Sequence, residues 1–154
     1  RQAAAAHATG TEMMRIAGAC HCGTLRFALD WPDDAATIPA RACGCSFCTK
    51  HGAVWTSHPR ARLRVSVSDA AHWQRYAFGT RTADFHVCGR CGVPVVATSR
   101  IEGRDYAVVN VNAFEDFDAS RLDRSRSDFE GEAVGDRLAR RQSRWIADVA
   151  FDTP

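Results

Sequence analysis

The sequence predicts a mostly β fold, built from layered antiparallel sheets, with an amphipathic helix near the C-terminus. Three observations support this prediction. From residue 14 onward, short stretches of alternating apolar and polar residues are separated by turns. Pairs of closely spaced cysteines stand at the ends of several of these stretches. Helical spacing of apolar residues appears only late in the chain.

Length and composition indicate one globular unit. The chain has 154 residues, of which 45% are hydrophobic and 25% are charged. No apolar run is long enough to cross a membrane, and a net charge of +2 is too small to indicate a nucleic-acid partner. The N-terminal segment lacks the apolar core of a signal peptide. We therefore expect a cytoplasmic protein whose thiols stay reduced.

We divide the chain into three parts. Residues 1–13 are Ala-rich and precede the patterned stretches, so we expect a disordered leader or tag remnant there. Residues 14–114 hold all seven cysteines and all the predicted strands, and they form the predicted central domain. Residues 115–154 form a predicted C-terminal extension whose helix packs on that domain.

The strands are predicted from the alternating stretches. Every second residue from Leu25 to Trp31 is large and apolar, so one face of a strand over residues 24–31 should be buried. The other predicted strands are 15–19, 38–42, 53–57, 63–67, 74–78, 82–87, 94–98 and 105–111. Residues 32–37 form a predicted polar loop, and Gly52 is expected to end the turn after Cys48.

The tail differs from the rest because its residues repeat at helical spacing. The spacing is set by Val134, Leu138, Gln142, Trp145 and Val149. It predicts an amphipathic helix, or a helix followed by a short extension, packed on the sheet. The other face carries Arg137, Arg140, Arg141 and Arg144. We expect that face to be solvated rather than bound to nucleic acid or membrane, and we expect Glu130 and Glu132 to cap the helix.

Three cysteines lie within the six residues 43–48. Residues two apart on an extended chain project to the same face, so the thiols of Cys43 and Cys45 should point the same way. Cys48 should join them on a turn. Three converging sulfurs suit a soft tetrahedral cation, for which zinc is the default. The alternative is a set of reduced thiols buried in the core.

The other four cysteines form two pairs. Cys20 and Cys22 are separated by one residue, whereas Cys88 and Cys91 lie in a Cys-Gly-Arg-Cys-Gly sequence that has the form of a zinc knuckle. In such a knuckle, Gly92 permits the positive φ that turns backbone N–H groups toward the sulfurs. Seven cysteines thus divide into four and three. The odd number and the close spacing argue against a disulfide framework.

A three-thiolate site leaves a fourth position open. With zinc it carries a charge of about −1, so it is a weak Lewis acid and poorly suited to making hydroxide. It is better suited to taking an incoming thiol as fourth ligand, since coordination removes the thiol proton at neutral pH. The thiolate would then be presented to a small electrophile such as an aldehyde.

Two residues after this motif are candidates for substrate binding. Lys50, the only lysine in the chain, could offset the negative charge of the site or bind a carboxylate. The alternative is a surface residue without a role. His51 is a candidate proton donor or fourth ligand, and the alternative is a local hydrogen bond. Local hydrogen bonding is also expected of His21 and His86.

The cysteine motifs resemble those of the glutathione-dependent formaldehyde-activating enzyme (GFA) family, which also contains centromere protein V. The resemblance rests on Gly18-Ala19-Cys20-His21-Cys22-Gly23, on Cys43-Gly44-Cys45-Ser46-Phe47-Cys48-Thr49-Lys50-His51-Gly52 and on Val87-Cys88-Gly89-Arg90-Cys91-Gly92. The three motifs stand in the family's order. The resemblance covers Met14 to Phe114, so residues 14–114 are identified as a GFA-type zinc-binding domain.

The resemblance implies a fold, a cofactor and an activity. The implied fold is β-tent-like, with layered antiparallel sheets that hold two zinc ions. The implied ligands are Cys20, Cys22, Cys88 and Cys91 for a structural ion and Cys43, Cys45 and Cys48 for a catalytic one. The implied activity is that of a carbon–sulfur lyase, which adds glutathione to formaldehyde and gives S-(hydroxymethyl)glutathione. The implied partners are therefore a glutathione-like thiol and a small aldehyde.

Two other functions are compatible with the sequence. A non-catalytic, zinc-stabilised β module could bind a macromolecule, as centromere protein V indicates for the family. A lyase or hydrolase acting on another thiol adduct could use the same three-thiolate site. A protein side chain closing the fourth position favours the module, whereas a cleft at that position favours an enzyme.

Overall fold

The computed structural model of the chain describes residues 13–32 and 37–154. The strands are β1 (Met13–Ala19), β2 (Leu25–Pro32), β3 (Ile38–Cys43), β4 (Val54–Thr56), β5 (Arg62–Val67), β6 (Trp73–Tyr76), β7 (Asp84–Cys88), β8 (Pro94–Ile101), β9 (Arg104–Asn110), β10 (Phe114–Glu115), β11 (Leu122–Ser127) and β12 (Asp148–Asp152). The helices are α1 (Ser46–His51) and α2 (Val134–Arg144), with 3₁₀ turns at Ala70–His72, Val111–Ala113 and Ala119–Arg121.

The strands form two sheets. One has five strands in the order β10-β1-β2-β5-β12, and the other has seven in the order β11-β3-β4-β9-β8-β7-β6. All pairings are antiparallel except two, in which β11 runs parallel to β3 and β12 runs parallel to β5. The predicted fold class, mostly β with layered and mainly antiparallel sheets, is confirmed.

The main core lies between the two sheets. The five-stranded sheet contributes the large residues of β2, because every second residue from Leu25 to Trp31 is at most 4% exposed, as the alternation predicts. Ile38, Val96 and Val109 of the seven-stranded sheet are fully buried in the same cluster. A second cluster, which includes Trp55, contains a separate set of residues from the seven-stranded sheet. Cysteines and Phe47 from the segment 43–48 pack with this second cluster, as does Trp145, the residue that follows α2.

All nine predicted strands are present, with ends shifted by a few residues. The sequence did not predict β10, β11 or β12. The segment 115–154 is more than a helix packed on a domain, since β11 and β12 each complete the edge of a sheet. Residues 1–12 of the predicted leader lie outside the described residues, whereas Met13 begins β1. Residues 33–36 of the predicted loop also lie outside them.

The predicted helix begins at Val134 and ends at Arg144, but two details of its prediction are wrong. The N-cap residue, Ala133, has no polar side chain with which to cap the helix, and Glu132 bonds to Arg140 instead of to the first backbone N–H groups. The arginine face is not simply solvated, since Arg141 is only 6% exposed while Val134 is 46% exposed. No helix within the described ranges is long and apolar enough to cross a membrane.

Candidate active site

The four-cysteine cluster joins the two sheets. Cys20 and Cys22 lie between β1 and β2 of one sheet, whereas Cys88 ends β7 of the other and Cys91 follows in the turn before β8. The four sulfur atoms lie within 4.8 Å of one another. The two pairs that the sequence separates by more than sixty residues are therefore brought together at one point, with Cys22 and Cys88 Sγ atoms 3.5 Å apart.

Backbone N–H groups point at these sulfurs. Leu25 N–H donates to Cys20 Sγ at 3.3 Å, and the N–H groups of Arg90 and Cys91 donate to Cys88 Sγ at 3.3 and 3.5 Å. Gly92 has φ of +83°, so the knuckle turn predicted from its second glycine is confirmed. Such donors stabilise thiolates, the form of cysteine that binds metal.

The environments of Cys20 and Cys22 differ. Hydrogen bonds from the Thr24 hydroxyl and backbone lower the pKa of Cys22 to about 6, whereas burial raises the pKa of Cys20 to about 11. Cys22 is exposed and Cys20 is 2% exposed, so solvent reaches the cluster from the side of Cys22.

The three-cysteine cluster stands where β3 passes into α1. Cys43 ends β3, Cys45 is the N-cap residue of α1 and Cys48 lies in the first turns of that helix. The three sulfurs lie within 4.8 Å of one another. Gly52, with φ of +64°, ends the helix in the left-handed conformation. The turn predicted to bring Cys48 round is thus a short helix, closed by glycine as expected.

Hydrogen bonds distinguish the three sulfurs. Trp55 Nε1–H donates to Cys48 Sγ at 3.2 Å, and Cys48 N–H donates to Cys45 Sγ at 3.4 Å. The Cys48 thiol hydrogen-bonds to Cys43, which lowers the pKa of Cys43 to about 6 and raises that of Cys48. Cys43 is therefore the first of the pair to ionise, and the proton shared with Cys48 is the one that a cation would displace.

Both clusters fit zinc in ligand type and spacing. All seven cysteines are free thiols, and each cluster has its sulfurs close enough to share one ion. A zinc tetrahedron with Zn–S bonds of about 2.3 Å has S–S edges of about 3.8 Å, and the Cys20 and Cys22 sulfurs are 3.8 Å apart. No fourth His, Cys, Asp or Glu of residues 13–32 and 37–154 joins the three-cysteine cluster.

The three-cysteine cluster lines a large cavity of about 910 Å³. This volume is within the range of small-molecule binding sites. Aromatic residues from four parts of the chain line the same cavity; they are Trp55, Phe78, Phe85, Phe129 and Trp145. Phe85 lies 5.8 Å from Trp55 and 5.5 Å from Phe78, measured between ring centroids. The aromatic rings give the cavity a firm apolar wall beside the sulfurs.

The remaining wall of the cavity is basic. Its arginines are Arg41 of β3 and Arg137, Arg140, Arg141 and Arg144 of α2. Of the described residues that line the cavity, Glu130 is the single acidic one. Burial, with repulsion from Arg144 and Arg140, lowers the pKa of Arg41. The cavity therefore pairs a thiol cluster on one side with an excess of positive charge on the other.

These arginines are the functional candidates that the sequence analysis missed. Their i, i+3, i+4, i+7 spacing on α2 was visible in the sequence, but not which way that face would turn. It turns inward because the protein supplies partners for the guanidinium groups. Arg141 Nη1 donates to Thr82 Oγ1 at 2.9 Å and to Ser99 Oγ at 3.0 Å, and Arg140 stacks 3.6 Å above the Phe129 ring.

Lys50 and His51 occupy the exposed side of α1. Neither is among the residues that line the cavity, and His51 stacks on Phe47 with ring centroids 4.5 Å apart. Their predicted role in substrate binding stays a prediction. His86 makes the local hydrogen bonds expected of it, since it accepts from Trp73 Nε1–H at 2.9 Å and bonds to Thr98 Oγ1 at 2.8 Å. His21 is exposed.

Two comparisons with known proteins bear on this site. Residues 15–130 match the sequence family described as glutathione-dependent formaldehyde-activating enzyme. The match extends beyond Phe114, where the sequence resemblance was expected to end, and includes β11. The chain is also similar to a Rhodobacter sphaeroides protein of known crystal structure. That likeness has 33% identity and a TM-score of 0.51, and it covers 68% of this chain and 92% of the other.

The family match spans most of the chain and contains all seven cysteines of the two clusters. It also contains β1 to β11, and thus most of both sheets. The chain belongs to the glutathione-dependent formaldehyde-activating enzyme family.

Proposed function

We propose that the protein is a zinc-dependent carbon–sulfur lyase of the formaldehyde-activating type, which joins a glutathione-like thiol to a small aldehyde. The observation that carries the proposal is the three-cysteine cluster, which no fourth ligand joins among the described residues and which lines a cavity of about 910 Å³. The family match supports glutathione and formaldehyde as the substrates. In the reaction a carbon–sulfur bond forms, and the thiol proton passes to the carbonyl oxygen, so no oxidant or reductant is needed.

Different residues of the cavity would bind the metal ion, orient its ligands and attract the substrate. Cys43, Cys45 and Cys48 would hold the zinc ion, which when bound lowers the pKa of a nearby substrate thiol. Trp55 fixes the Cys48 sulfur through its indole N–H. The aromatic wall limits the water around the sulfurs, and the arginines attract an anionic thiol into the cavity.

The reaction is tested by exchange NMR with glutathione and ¹³C-formaldehyde. Formaldehyde and the hemithioacetal interconvert slowly without enzyme, and we expect the rate to rise in proportion to the concentration of metal-loaded protein. Cys45→Ser should abolish the increase, because it removes a ligand from the open cluster. A wild-type rate equal to that of buffer alone, at full metal content, would overturn the proposal.

Lys50→Gln tests the predicted substrate role of Lys50 in the same assay. A lower rate, or a weaker affinity for glutathione, would support a role for its charge. An unchanged rate and affinity would make it a surface residue, in keeping with its exposed position on α1.

The non-catalytic β module is the less favoured alternative. That function calls for two saturated metal sites, and the three-cysteine cluster has no fourth ligand among the residues that the structure describes. Two measurements during a glutathione titration separate the two functions. Elemental analysis gives the number of metal ions per chain, and X-ray absorption gives the ligands around them. An added sulfur in the average metal shell supports the enzyme, whereas an unchanged shell supports the module.

A further inference from the structure

We propose that α2 and Arg41 form a charge-recognition surface that binds the carboxylates of the substrate thiol, so that the protein selects thiols carrying at least two carboxylates. This inference rests on the proposed function, since it specifies the substrate of the same cavity. It concerns Arg41, Arg137, Arg140, Arg141 and Arg144, all of which line the cavity that holds the three-cysteine cluster.

The positive charge of this surface is only partly neutralised by the residues that the structure describes. Glu132 pairs with Arg140, with Oε1 3.0 Å from Nη2 and Oε2 3.1 Å from Nε. In the described part of the chain, no carboxylate is paired with any of the other four arginines. In the part of the cavity wall that the structure describes, Glu130 is the single acidic residue. An excess of positive charge of this size in a partly enclosed cavity favours a ligand with more than one negative charge.

Two of the arginines have buried nitrogen atoms without a hydrogen-bond partner. Nε of Arg137 and Nε of Arg141 are both inaccessible to solvent and unbonded. Arg141 as a whole is 6% exposed. Buried polar groups are usually satisfied, and an unsatisfied cationic donor is costly. These two Nε atoms cannot be reached from the cavity, so a bound carboxylate would act on the outer nitrogens of the same guanidinium groups and offset their positive charge.

The surface is already organised before any ligand binds. Arg137 Nη2 donates to the Phe129 carbonyl at 2.8 Å, and Arg141 is held by Thr82 and Ser99. The end of α2 is fixed because the Ser57 hydroxyl donates to the Arg144 carbonyl at 3.0 Å. The main chain of Arg144 is thus anchored while its side chain lines the cavity. Preorganised donors of this kind gain affinity because little freedom is lost on binding.

Arg41 and Arg144 are the pair best placed to contact a substrate. Neither side chain has a hydrogen-bond or ion-pair partner among the residues described, and both line the cavity. They come from different elements, β3 and α2, so they reach the cavity from different parts of the fold. An anion that contacts both would accept charge-assisted hydrogen bonds from each. Arginine suits this role because its planar fork matches a carboxylate.

The surface comes mostly from a part of the chain beyond the family match. That match ends at residue 130, and α2 begins at Val134. The cysteines that define the chemistry lie inside the match, whereas four of the five arginines lie outside it. Selection by charge is therefore a property that the C-terminal segment of this chain adds to the site.

The test measures binding rather than turnover. S-methylglutathione carries both carboxylates but has no reactive thiol, so its affinity for the metal-loaded protein can be measured by isothermal titration calorimetry without turnover. We expect its diethyl ester, which lacks both carboxylates, to bind at least tenfold more weakly. Arg41→Gln and Arg144→Gln should each weaken S-methylglutathione by a similar factor and leave the ester unaffected. Added salt should weaken the acid form only.

Arg124→Gln is the matched control, because Arg124 is an exposed arginine of β11 that does not line the cavity. It should bind S-methylglutathione like the wild type. Far-UV circular dichroism and unfolding of each variant check that the fold is kept. Equal affinity for acid and ester, or equal affinity in all four proteins, would overturn the inference.

Two further outcomes are informative. Coenzyme A presents phosphates instead of carboxylates, and tighter binding of S-methyl-coenzyme A than of S-methylglutathione would overturn the assignment to carboxylates. Charge-dependent binding of S-methylglutathione without any rate increase in the exchange assay would instead overturn the proposed function and leave this inference standing.

Discussion

At the scale of single residues, Trp55 ties the three-cysteine cluster to the sheet. Its Nε1–H donates to Cys48 Sγ at 3.2 Å, and its ring is 7% exposed. Trp55→Phe keeps most of the packing and removes the donor. Loss of a hydrogen-bond partner of a metal ligand lowers metal affinity by about 10–100-fold. We therefore expect zinc to bind this cluster more weakly by that factor. Competition with a chromophoric chelator measures the change.

Trp145→Phe provides the control for this measurement. Trp145 lines the same cavity and packs against the same cluster, but it makes no hydrogen bond to a sulfur. Zinc affinity should stay at the wild-type value in this variant. Equal losses in both variants would mean that aromatic packing, not the indole N–H, holds the sulfur.

Position 18 requires glycine because a neighbouring aromatic ring leaves no room for a side chain, and not because the backbone turns there. It pairs with Phe27 across β1 and β2, and an added Cβ would overlap the Phe27 ring. Gly18→Ala should therefore lower the free energy of unfolding by about 1–3 kcal/mol, the usual cost of overpacking. In contrast, Gly135→Ala in α2 meets no atom within 4 Å and should raise stability by up to about 0.5 kcal/mol. Urea unfolding of both variants tests the difference.

At the scale of elements, β12 links the two sheets through one aromatic residue. Phe151 stacks on Trp73 at 5.5 Å and on His86 at 5.1 Å between ring centroids, and both partners belong to the other sheet. Because Phe151 is half-buried, Phe151→Ala should cost about 2 kcal/mol, below the range for fully buried rings. Thermal and urea unfolding measure the loss, and the exposed Thr153→Ala should stay within about 0.5 kcal/mol of wild type.

The sequence predicts a strand well when one face of that strand is buried, and poorly when both faces are exposed. Strands with one buried face, such as β2 and β5, show the alternation that burial imposes, so they were predicted nearly to their ends. β11 is an edge strand with a mostly exposed polar sequence, so it carries no such pattern. It exists because β3 offers a free edge beside it. Only tertiary contact reveals a strand of this kind.

The same limit applies to α2 and to the site. The helix was predictable from the spacing of its apolar residues, but those residues do not determine which face of the helix is turned toward the cavity. Arg141 is buried because Thr82, Ser99 and Trp145 surround its guanidinium group. Those partners come from distant parts of the chain, so the basic wall of the cavity could not be predicted. Short spacings predict that the sulfurs of the three-cysteine cluster lie together, whereas the meeting of the other two cysteine pairs was implied by the family resemblance.

At the scale of the whole molecule, the two cysteine clusters are expected to contribute differently to stability. The four-cysteine cluster joins the two sheets, whereas the three-cysteine cluster lies on one sheet beside the cavity. We expect Cys88→Ser to lower stability by several kcal/mol, because metal binding at a structural site contributes directly to folding. Cys45→Ser should cost far less and lower the metal content by one ion per chain. Elemental analysis with thermal unfolding separates these effects.

Chelation gives the corresponding result on the wild-type protein. Mild chelator should first remove the ion at the open cluster with little change in melting temperature. Stronger chelation should then lower the melting temperature steeply as the four-cysteine cluster empties. Loss of stability at the first step would contradict this division between the clusters.

The order of the elements along the chain also has a consequence for biosynthesis. Every cysteine precedes residue 92, whereas the helix that covers the cavity and the last strand of each sheet follow residue 121. At a translation speed of roughly 5–20 residues per second, several seconds separate the emergence of the thiols from that of the segment that encloses them. We therefore expect the nascent chain to be able to bind metal at its cysteines before α2 and the last strand of each sheet have been synthesised.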